Sequence, residues 1–315
     1  MSARAIVTGG AGFIGSHVVD ALLREGYAVT VVDDLSSGAA EHVARDAELR
    51  RLDIVEREAL DSVFDEFSPT AVFHLAAQAS VVASVQDPGR DCDVNVKGTL
   101  NVVEAAGRCG APVVFTSTGG ALYGDDAPRP TPEDQPPLPL SPYGASKLGG
   151  EAYVKTWSAS SGLAHAVCRL GNVYGPRQNP HGEAGVVAIF AHHLLAGEAP
   201  TLYGRGKPTR DYVYVGDVVG ALLAALGRSG TYNIATGVET DVLSIWNGLR
   251  DAALSSGADV AGIEPHFSDL RPGELQNSCL DVSLAQRELG WRAEVPIVEG
   301  LRVTFEAFSG EFQRA

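Results

Sequence analysis

The first fifteen residues constrain this chain more than any other stretch. A short apolar run, Ala5-Ile-Val7, leads into Thr8-Gly-Gly-Ala-Gly-Phe-Ile-Gly15, and a periodic apolar segment continues to about Glu25. Glycines therefore stand at 9, 12 and 15, between a strand pattern and a helix pattern. The first permits a tight turn, the second lets backbone N–H groups approach a pyrophosphate, and the third lets the helix close on the strand. The helix N-terminus adds partial positive charge for phosphates. A glycine triplet alone describes many flexible turns; here the flanking elements and an acid at the end of the second strand raise its weight. That acid is Asp33, followed by Asp34 and 24 positions beyond Gly9, near the ~20 expected of a carboxylate on an adenosine ribose diol. It would repel a 2′-phosphate and no Arg follows it, so the spacing predicts NAD rather than NADP. Asp53-Ile54, after a short third strand, either touches the adenine or caps the following segment.

Further strands read at Ala28–Val32, Ala71–Leu75, Val113–Phe115 and Ala166–Cys168, apolar on both faces as strands buried between two helix layers are. Helical stretches separate them, roughly Phe13–Glu25, Glu56–Glu66, Pro88–Arg108 and Tyr143–Ser161. This is the alternation of an α/β, Rossmann-type, doubly wound parallel sheet. Residues Asp125–Pro142 hold seven of the seventeen prolines. They read better as an ordered loop framing a site than as a linker, because a strand and a reactive-looking helix flank them. After Pro176 the pattern is less regular, with strands near Thr201–Tyr203 and Arg210–Val215 and helices near Val186–Ala196, Asp217–Leu226 and Val242–Ser255. The division expected is a nucleotide-binding domain over residues 1–178, with part of 208–236 returning to it, and a smaller mixed substrate subdomain over 179–315. A length of 315 residues suits about two domains.

Composition excludes several classes. With 45% hydrophobic and 20% charged residues the chain can build a core, and its net charge of −15 argues against a nucleic-acid or anionic-membrane partner. Four scattered cysteines, no signal-peptide pattern and no apolar run near the ~20 residues of a membrane span predict a cytoplasmic protein. His192 and His193 are adjacent, so on a helix they point about 100° apart and cannot chelate one ion; His74 reads as structural, and no metal is expected.

Tyr143-Gly-Ala-Ser-Lys147 places a phenol and an ammonium four residues apart on one helical face. A phenol titrates near 10; a nearby Lys⁺ and a cationic nicotinamide would favour phenolate and make it a useful base. Such pairs are common on surfaces. This one gains meaning from the nucleotide pattern before it and from Thr116-Ser-Thr118, which ends a strand at the sheet edge where open α/β sheets bind ligands.

The chain resembles the extended short-chain dehydrogenases/reductases, specifically the nucleotide-sugar epimerases of the UDP-glucose 4-epimerase group, over nearly its whole length. The marks are Thr8–Gly15, His74-Leu-Ala-Ala-Gln78, Asn95-Val-Lys-Gly-Thr99, Tyr143–Lys147, Arg169–Arg177, Gly182–Val187, Thr209–Val213 and Arg271–Glu274. The resemblance implies that Tyr143 is the base for the sugar 4-hydroxyl, that Thr118 (or Ser117) hydrogen-bonds the same hydroxyl, and that Lys147 holds the nicotinamide ribose. Gly9, Gly12, Phe13, Ile14, Asp33, Asp53, Ile54, Leu75, Ala76, Ala77, Gln78 and Asn95 would contact NAD. Asn172, Arg210 and Arg271, with the backbone of Ala184, Gly185, Val186 and Val187 and the ring of Tyr203, would hold UDP. The plain alternative for Arg210 is a salt bridge with Asp211. A homodimer through Pro88–Arg108 and Tyr143–Ser161 is implied as well.

Family dehydratases carry an Asp-Glu pair after the Thr; here Gly119-Gly120-Ala121-Leu122 follows. That leaves oxidation and re-reduction at carbon 4, with room for the keto-sugar to turn beside two glycines. Ser278 aligns with the position bordering the sugar's 2-substituent, and its small side chain predicts activity on N-acetyl sugars; otherwise it merely ends a strand. A UDP-glucuronate epimerase is the alternative, weakened because Asn179-Pro180 stands where relatives of that type carry a basic residue. A non-catalytic NAD sensor is the alternative of another class.

Overall fold

The computed structural model describes residues 3–180, 185–270 and 275–312. In chain order its strands are β1 (Arg4–Thr8), β2 (Ala28–Asp33), β3 (Glu48–Arg51), β4 (Ala71–His74), β5 (Val113–Thr118), β6 (Ala166–Leu170), β7 (Asn172–Tyr174), β8 (Thr201–Leu202), β9 (Thr209–Tyr214), β10 (Gly230–Ile234), β11 (Glu239–Asp241) and β12 (His266–Phe267). The helices are α1 (Phe13–Arg24), α2 (Arg57–Phe67), α3 (Val81–Gln86), α4 (Pro88–Cys92), α5 (Thr99–Arg108), α6 (Pro142–Ser161), α7 (Val186–Ala196), α8 (Val215–Ala225), α9 (Val242–Ser255), α10 (Ser283–Leu289) and α11 (Ile297–Phe312).

Seven strands form one sheet in the order β10-β6-β5-β4-β1-β2-β3, every pair parallel. The chain starts in the middle, winds outward through β2 and β3, and re-enters at β4 on the other side of β1. The crevice at the carboxyl ends of β1 and β4 is thus the switch point where such sheets bind ligands. The inner strands β1, β2 and β4 are largely apolar because both faces are covered, whereas the edge strand β3, Glu-Leu-Arg-Arg, is polar and not fully buried. Val7, Val31, Phe73 and Val114 pack on Val18 and Leu22 of α1 and Leu222 of α8. Ile6, Val72 and Phe115 face the other layer, against Phe64, Val102 and Val154 of α2, α5 and α6.

The expected helix over Pro88–Arg108 is three pieces: α4, a π-helical turn over Asp93–Gly98, and α5. Asp87 caps α4 by accepting from the Arg90 nitrogen at 2.9 Å. The π turn carries Asn95, and such turns recur at functional sites. The short α3, which opens on a Ser80 cap, had no periodic signal of its own.

Beyond the sheet, Phe190 of α7, Trp246 and Leu249 of α9, and Phe305 of α11 build a second core with Tyr212 of β9. Strand β9 pairs parallel with β7 and antiparallel with β11. The proline-rich segment is a pinned loop: the Leu138 nitrogen bonds the Leu122 carbonyl at 2.7 Å, and Thr131 bridges to Cys279 and Asp281 at 2.9 Å each. No helix among the described residues is long and apolar enough to cross a membrane.

Candidate active site

At the nucleotide end, α1 starts after Gly12 without a side-chain cap. The N–H groups of its first turn, including those of Phe13 and Ile14, are therefore left for an anion. Gly9 adopts φ +72°, and a Cβ there would lie 2.6 Å from the Ala76 nitrogen; a Cβ on Gly15 would lie 2.0 Å from the Gly9 carbonyl oxygen. Only glycine allows the turn to touch the β4 loop and α1 together. Asp33 accepts from the Ala11 nitrogen through Oδ2 and from the Leu35 nitrogen through Oδ1, both at 2.9 Å. Burial raises its pKa and the two donors oppose that shift; each oxygen keeps a lone pair for a diol. An uncapped helix terminus over a Cβ-free turn, with an oriented carboxylate at its side, fits a dinucleotide.

Asp53 is not the cap of α2, whose cap position is Glu56. Its Oδ1 accepts from the Val55 nitrogen at 3.0 Å and its Oδ2 pairs with Arg90 at 2.7 Å. Arg90, which the sequence did not flag, also stands 3.8 Å from Asp34. Ile54 puts its side chain into the core, against Gly98.

The half-buried loop Leu75–Gln78 is placed by a directed hydrogen-bond chain. The Ala76 nitrogen donates to Thr8 Oγ1 (3.3 Å), and Thr8 Oγ1 pairs with His74 Nδ1 (2.7 Å). His74 Nε2 pairs with Thr99 Oγ1 (2.9 Å), which donates to the Asn95 carbonyl (2.8 Å). Because Thr99 spends its proton on Asn95, His74 carries its own on Nε2 and accepts at Nδ1. Burial brings its pKa down to about 3, so it is a neutral structural tie. Asn95 exchanges bonds with the Gln78 backbone at 3.0 and 2.9 Å and donates to Ser146 of α6 at 3.0 Å. Asp91 holds both Gln78 and Asn95 through Oδ1, while its buried Oδ2 has no protein partner. The signal for Asp91 was its place four residues before Asn95.

At the reactive end, Ser141 caps α6 and Pro142 opens it. Tyr143, Lys147 and Glu151 then fall on one face at four-residue spacing. The Tyr143 phenol lies beside the Thr118 hydroxyl, and Ser117 lies beside Glu151. Lys147 is buried; its Nζ donates to the Thr116 carbonyl at 2.8 Å and stands 4.7 Å from the Phe115 ring centre. The expectation that Lys147 favours phenolate fails in the protein alone. Burial pushes the phenol up to about 12, only partly offset by Thr118. Burial also lowers Lys147 to about 8, against the charges of Glu151 and Asp91. Bringing the phenol down needs a further cation at the site. Glu151, also missed in the sequence, forms a buried bidentate pair with Arg169 at 2.9 and 2.7 Å. Its position one turn past Lys147 was the available clue.

On the substrate side, Asn172 opens β7, and a Cβ on Gly120 would meet its Oδ1 first, at 3.6 Å. Gly119 does not make room for a sugar: a Cβ there would lie 2.3 Å from Leu280 Cδ1, so its smallness serves packing. Ser278 shares a narrow crevice with Gly119, Gly120 and Asn277. Arg210 makes no pair with Asp211; it donates to the carbonyls of Thr209, Gln276 and Leu275 at 2.8, 3.2 and 2.7 Å. Gly185 begins α7 without a side-chain cap, Val186 and Val187 follow, and Val187 anchors the helix in the second core. Tyr203, half-buried, starts a short 3₁₀ turn. Ala184 and Arg271 lie outside the described residues. Among those described, no group of three His, Cys, Asp or Glu side chains could hold a metal.

Residues 5–235 match the model of the NAD dependent epimerase/dehydratase family. A UDP-glucose 4-epimerase of Mycolicibacterium smegmatis is 46% identical over 319 residues, spanning 98% of this chain and 100% of the relative. The crystal structure of a UDP-glucose 4-epimerase from Thermotoga maritima with UDP-glucose superposes with a TM-score of 0.93 at 44% identity, covering 98% and 99% of the two chains. A UDP-N-acetylglucosamine 4-epimerase from Methanobrevibacter ruminantium, in complex with UDP-N-acetylmuramic acid, gives 0.91 at 31% identity over 99% and 100%. Likeness of this extent, on a chain whose switch point already fits a dinucleotide, shows that it belongs to the NAD dependent epimerase/dehydratase family, with NAD as its cofactor.

Proposed function

We propose that the protein interconverts UDP-glucose and UDP-galactose by transient oxidation at carbon 4, and that it also turns over UDP-N-acetyl sugars. The observation that carries this reading is the placement of the Thr118 hydroxyl beside the Tyr143 phenol at the carboxyl edge of the sheet, with buried Lys147 one helical turn away. No acid or base follows Thr118 in Gly119–Leu122, so the residues support proton transfer at one hydroxyl and not elimination.

Bound NAD supplies a hydride acceptor and donor and a positive ring. The N–H groups after Gly12 and the Asp33 carboxylate hold its diphosphate and ribose. Thr118 and Tyr143 hold the sugar 4-hydroxyl; Tyr143 takes its proton during oxidation and returns it on reduction. Lys147, fixed on the Thr116 carbonyl, keeps an ammonium on the same helical face. Arg210, Asn172, Tyr203 and the N–H groups of Gly185–Val187 hold UDP, and Ser278 leaves space at the 2-substituent. The kinship with a UDP-N-acetylglucosamine 4-epimerase supports the N-acetyl reading. Arg177, the cation nearest the uronate reading, is bound by Asp20 at 2.8 Å, which favours an uncharged sugar. Residues 1–178 with part of 208–236 serve the dinucleotide and 179–315 the sugar nucleotide. The enzyme works as a cytoplasmic homodimer through α4–α5 and α6, a reading that exposed Tyr153 on α6 supports.

Incubation with a panel of UDP-sugars, with product stereochemistry read by NMR, tests the proposal. Interconversion of UDP-glucose and UDP-galactose is the expected result. Stoichiometric NAD without turnover of any UDP-sugar would sink it in favour of a sensor.

A further inference from the structure

The adjacent strand residues Arg210 and Asp211 hold one segment, Leu275–Leu280, by both of its backbone polarities. Arg210 takes the carbonyls of Leu275 and Gln276, at 2.7 and 3.2 Å. Thr209, beside it, donates its nitrogen to Gln276 at 3.0 Å and accepts from the Ser278 nitrogen at 3.2 Å. The side chain of Asp211 leaves the strand on the opposite face, is 1% exposed, and grips the far end of the segment. Its Oδ2 accepts from the Leu280 nitrogen at 3.3 Å and from Cys279 Sγ at 3.7 Å. The same carboxylate accepts from the Thr236 nitrogen and hydroxyl at 2.8 and 2.6 Å and from the Gly237 nitrogen at 2.9 Å. Five donors from two separate chain segments thus converge on one buried acceptor. Removing its charge leaves several buried N–H groups without the partner they were desolvated for. Ser278 stands between the two grips, and Leu280 packs on Gly119, next to Thr118.

We propose that Asp211 is a positioning residue for sugar discrimination: by tying Cys279 and Leu280 to the Thr236–Gly237 turn it fixes the wall that carries Ser278. The proposal rests on the reading of Ser278 as bordering the sugar's 2-substituent. Arg210 and Asp211 divide the work. The arginine end serves the diphosphate and the aspartate end serves the sugar.

The test is binding of UDP, UDP-glucose and UDP-N-acetylglucosamine to the NAD-loaded protein by calorimetry, for the unmodified chain and for Asp211→Asn. The amide turns a donor towards the Gly237 and Leu280 nitrogens and releases that end of the segment. The Kd for UDP should stay within about twofold, while the ratio of the two sugar Kd values should change by at least about fivefold, within the range that pocket shape commands. An unchanged ratio in folded Asp211→Asn overturns the proposal, and so does equal weakening of all three ligands, the mark of general loosening. If Asp211→Asn does not fold, Thr236→Val decides, because it removes one donor and keeps the carboxylate: a shifted ratio supports the proposal and an unshifted one overturns it. Failure of the epimerase reading is separate, since it shows as no turnover by the unmodified protein.

Discussion

The two halves of the proposed site, its dinucleotide end and its sugar end, are built in opposite ways. The first comes from one stretch of chain: Gly9, Gly12 and Gly15 in a single turn, with Asp33 at the end of the adjacent strand. The second is assembled from Gly120, Asn172, Arg210 and Ser278, which lie on four separate segments. Irregular backbone bonds hold these together, such as Ser278 to Thr209 and Thr131 to Cys279. Turn chemistry needs only local sequence, because one missing Cβ decides whether backbones can touch. A pocket wall built by long-range bonds carries no local signature.

The largest expected effect lies where the two ends meet. Tyr143→Phe removes a proton acceptor and little volume, so binding of NAD and UDP-sugar should stay nearly normal. Turnover should fall by about 10²–10⁴-fold, the usual worth of general acid–base catalysis. A variant within about twofold of normal in steady-state assays places the base elsewhere.

The same contrast explains what could be read from the sequence. The glycine turn, Asp33, the alternating strands and the Tyr143–Lys147 pair were legible because each is a spacing on one element. Arg90 was not, because its partner Asp53 lies 37 residues away; Asp91 and Glu151 offered only four-residue spacings to Asn95 and Lys147, while their ties to Gln78 and Arg169 span 13 and 18 residues. The spacing suggested that Lys147 lowers the Tyr143 pKa; burial, invisible in a spacing, pushes the phenol the other way. Gly119 and Gly120 look alike in the sequence, yet one packs on Leu280 and the other faces Asn172.

The next effect sharpens the sugar end. Ser278→Tyr puts a ring into the crevice shared with Gly120, and should lower kcat/KM for UDP-N-acetylglucosamine by about 10–200-fold while sparing UDP-glucose, the span expected of steric pocket discrimination. Equal losses on both substrates would show that Ser278 does not border the 2-substituent. At the dinucleotide end Asp33→Ala should weaken NAD by about tenfold, the worth of one hydrogen bond to a charged acceptor, and narrow the preference over NADP. Equal affinity of the unmodified protein for both cofactors would remove that assignment.

The smallest effect tests the one long-range element of the otherwise local end. Arg90 reaches from α4 to Asp53 at 2.7 Å and to Asp34 at 3.8 Å, joining the loops after β2 and β3. Its side chain is 44% exposed, so water and salt screen the pair, and exposed ion pairs contribute about 0.2–1 kcal/mol. Arg90→Ala should therefore weaken NAD by less than about fivefold. That small loss should shrink further at high salt, because the screening length drops to about 3 Å at 1 M. Asp33→Ala should keep its full effect there, since Asp33 is buried and held by backbone donors. Titrating NAD into both variants at low and high salt separates the two. A large, salt-independent loss in Arg90→Ala would mean that the dinucleotide end depends on distant residues as much as the sugar end does.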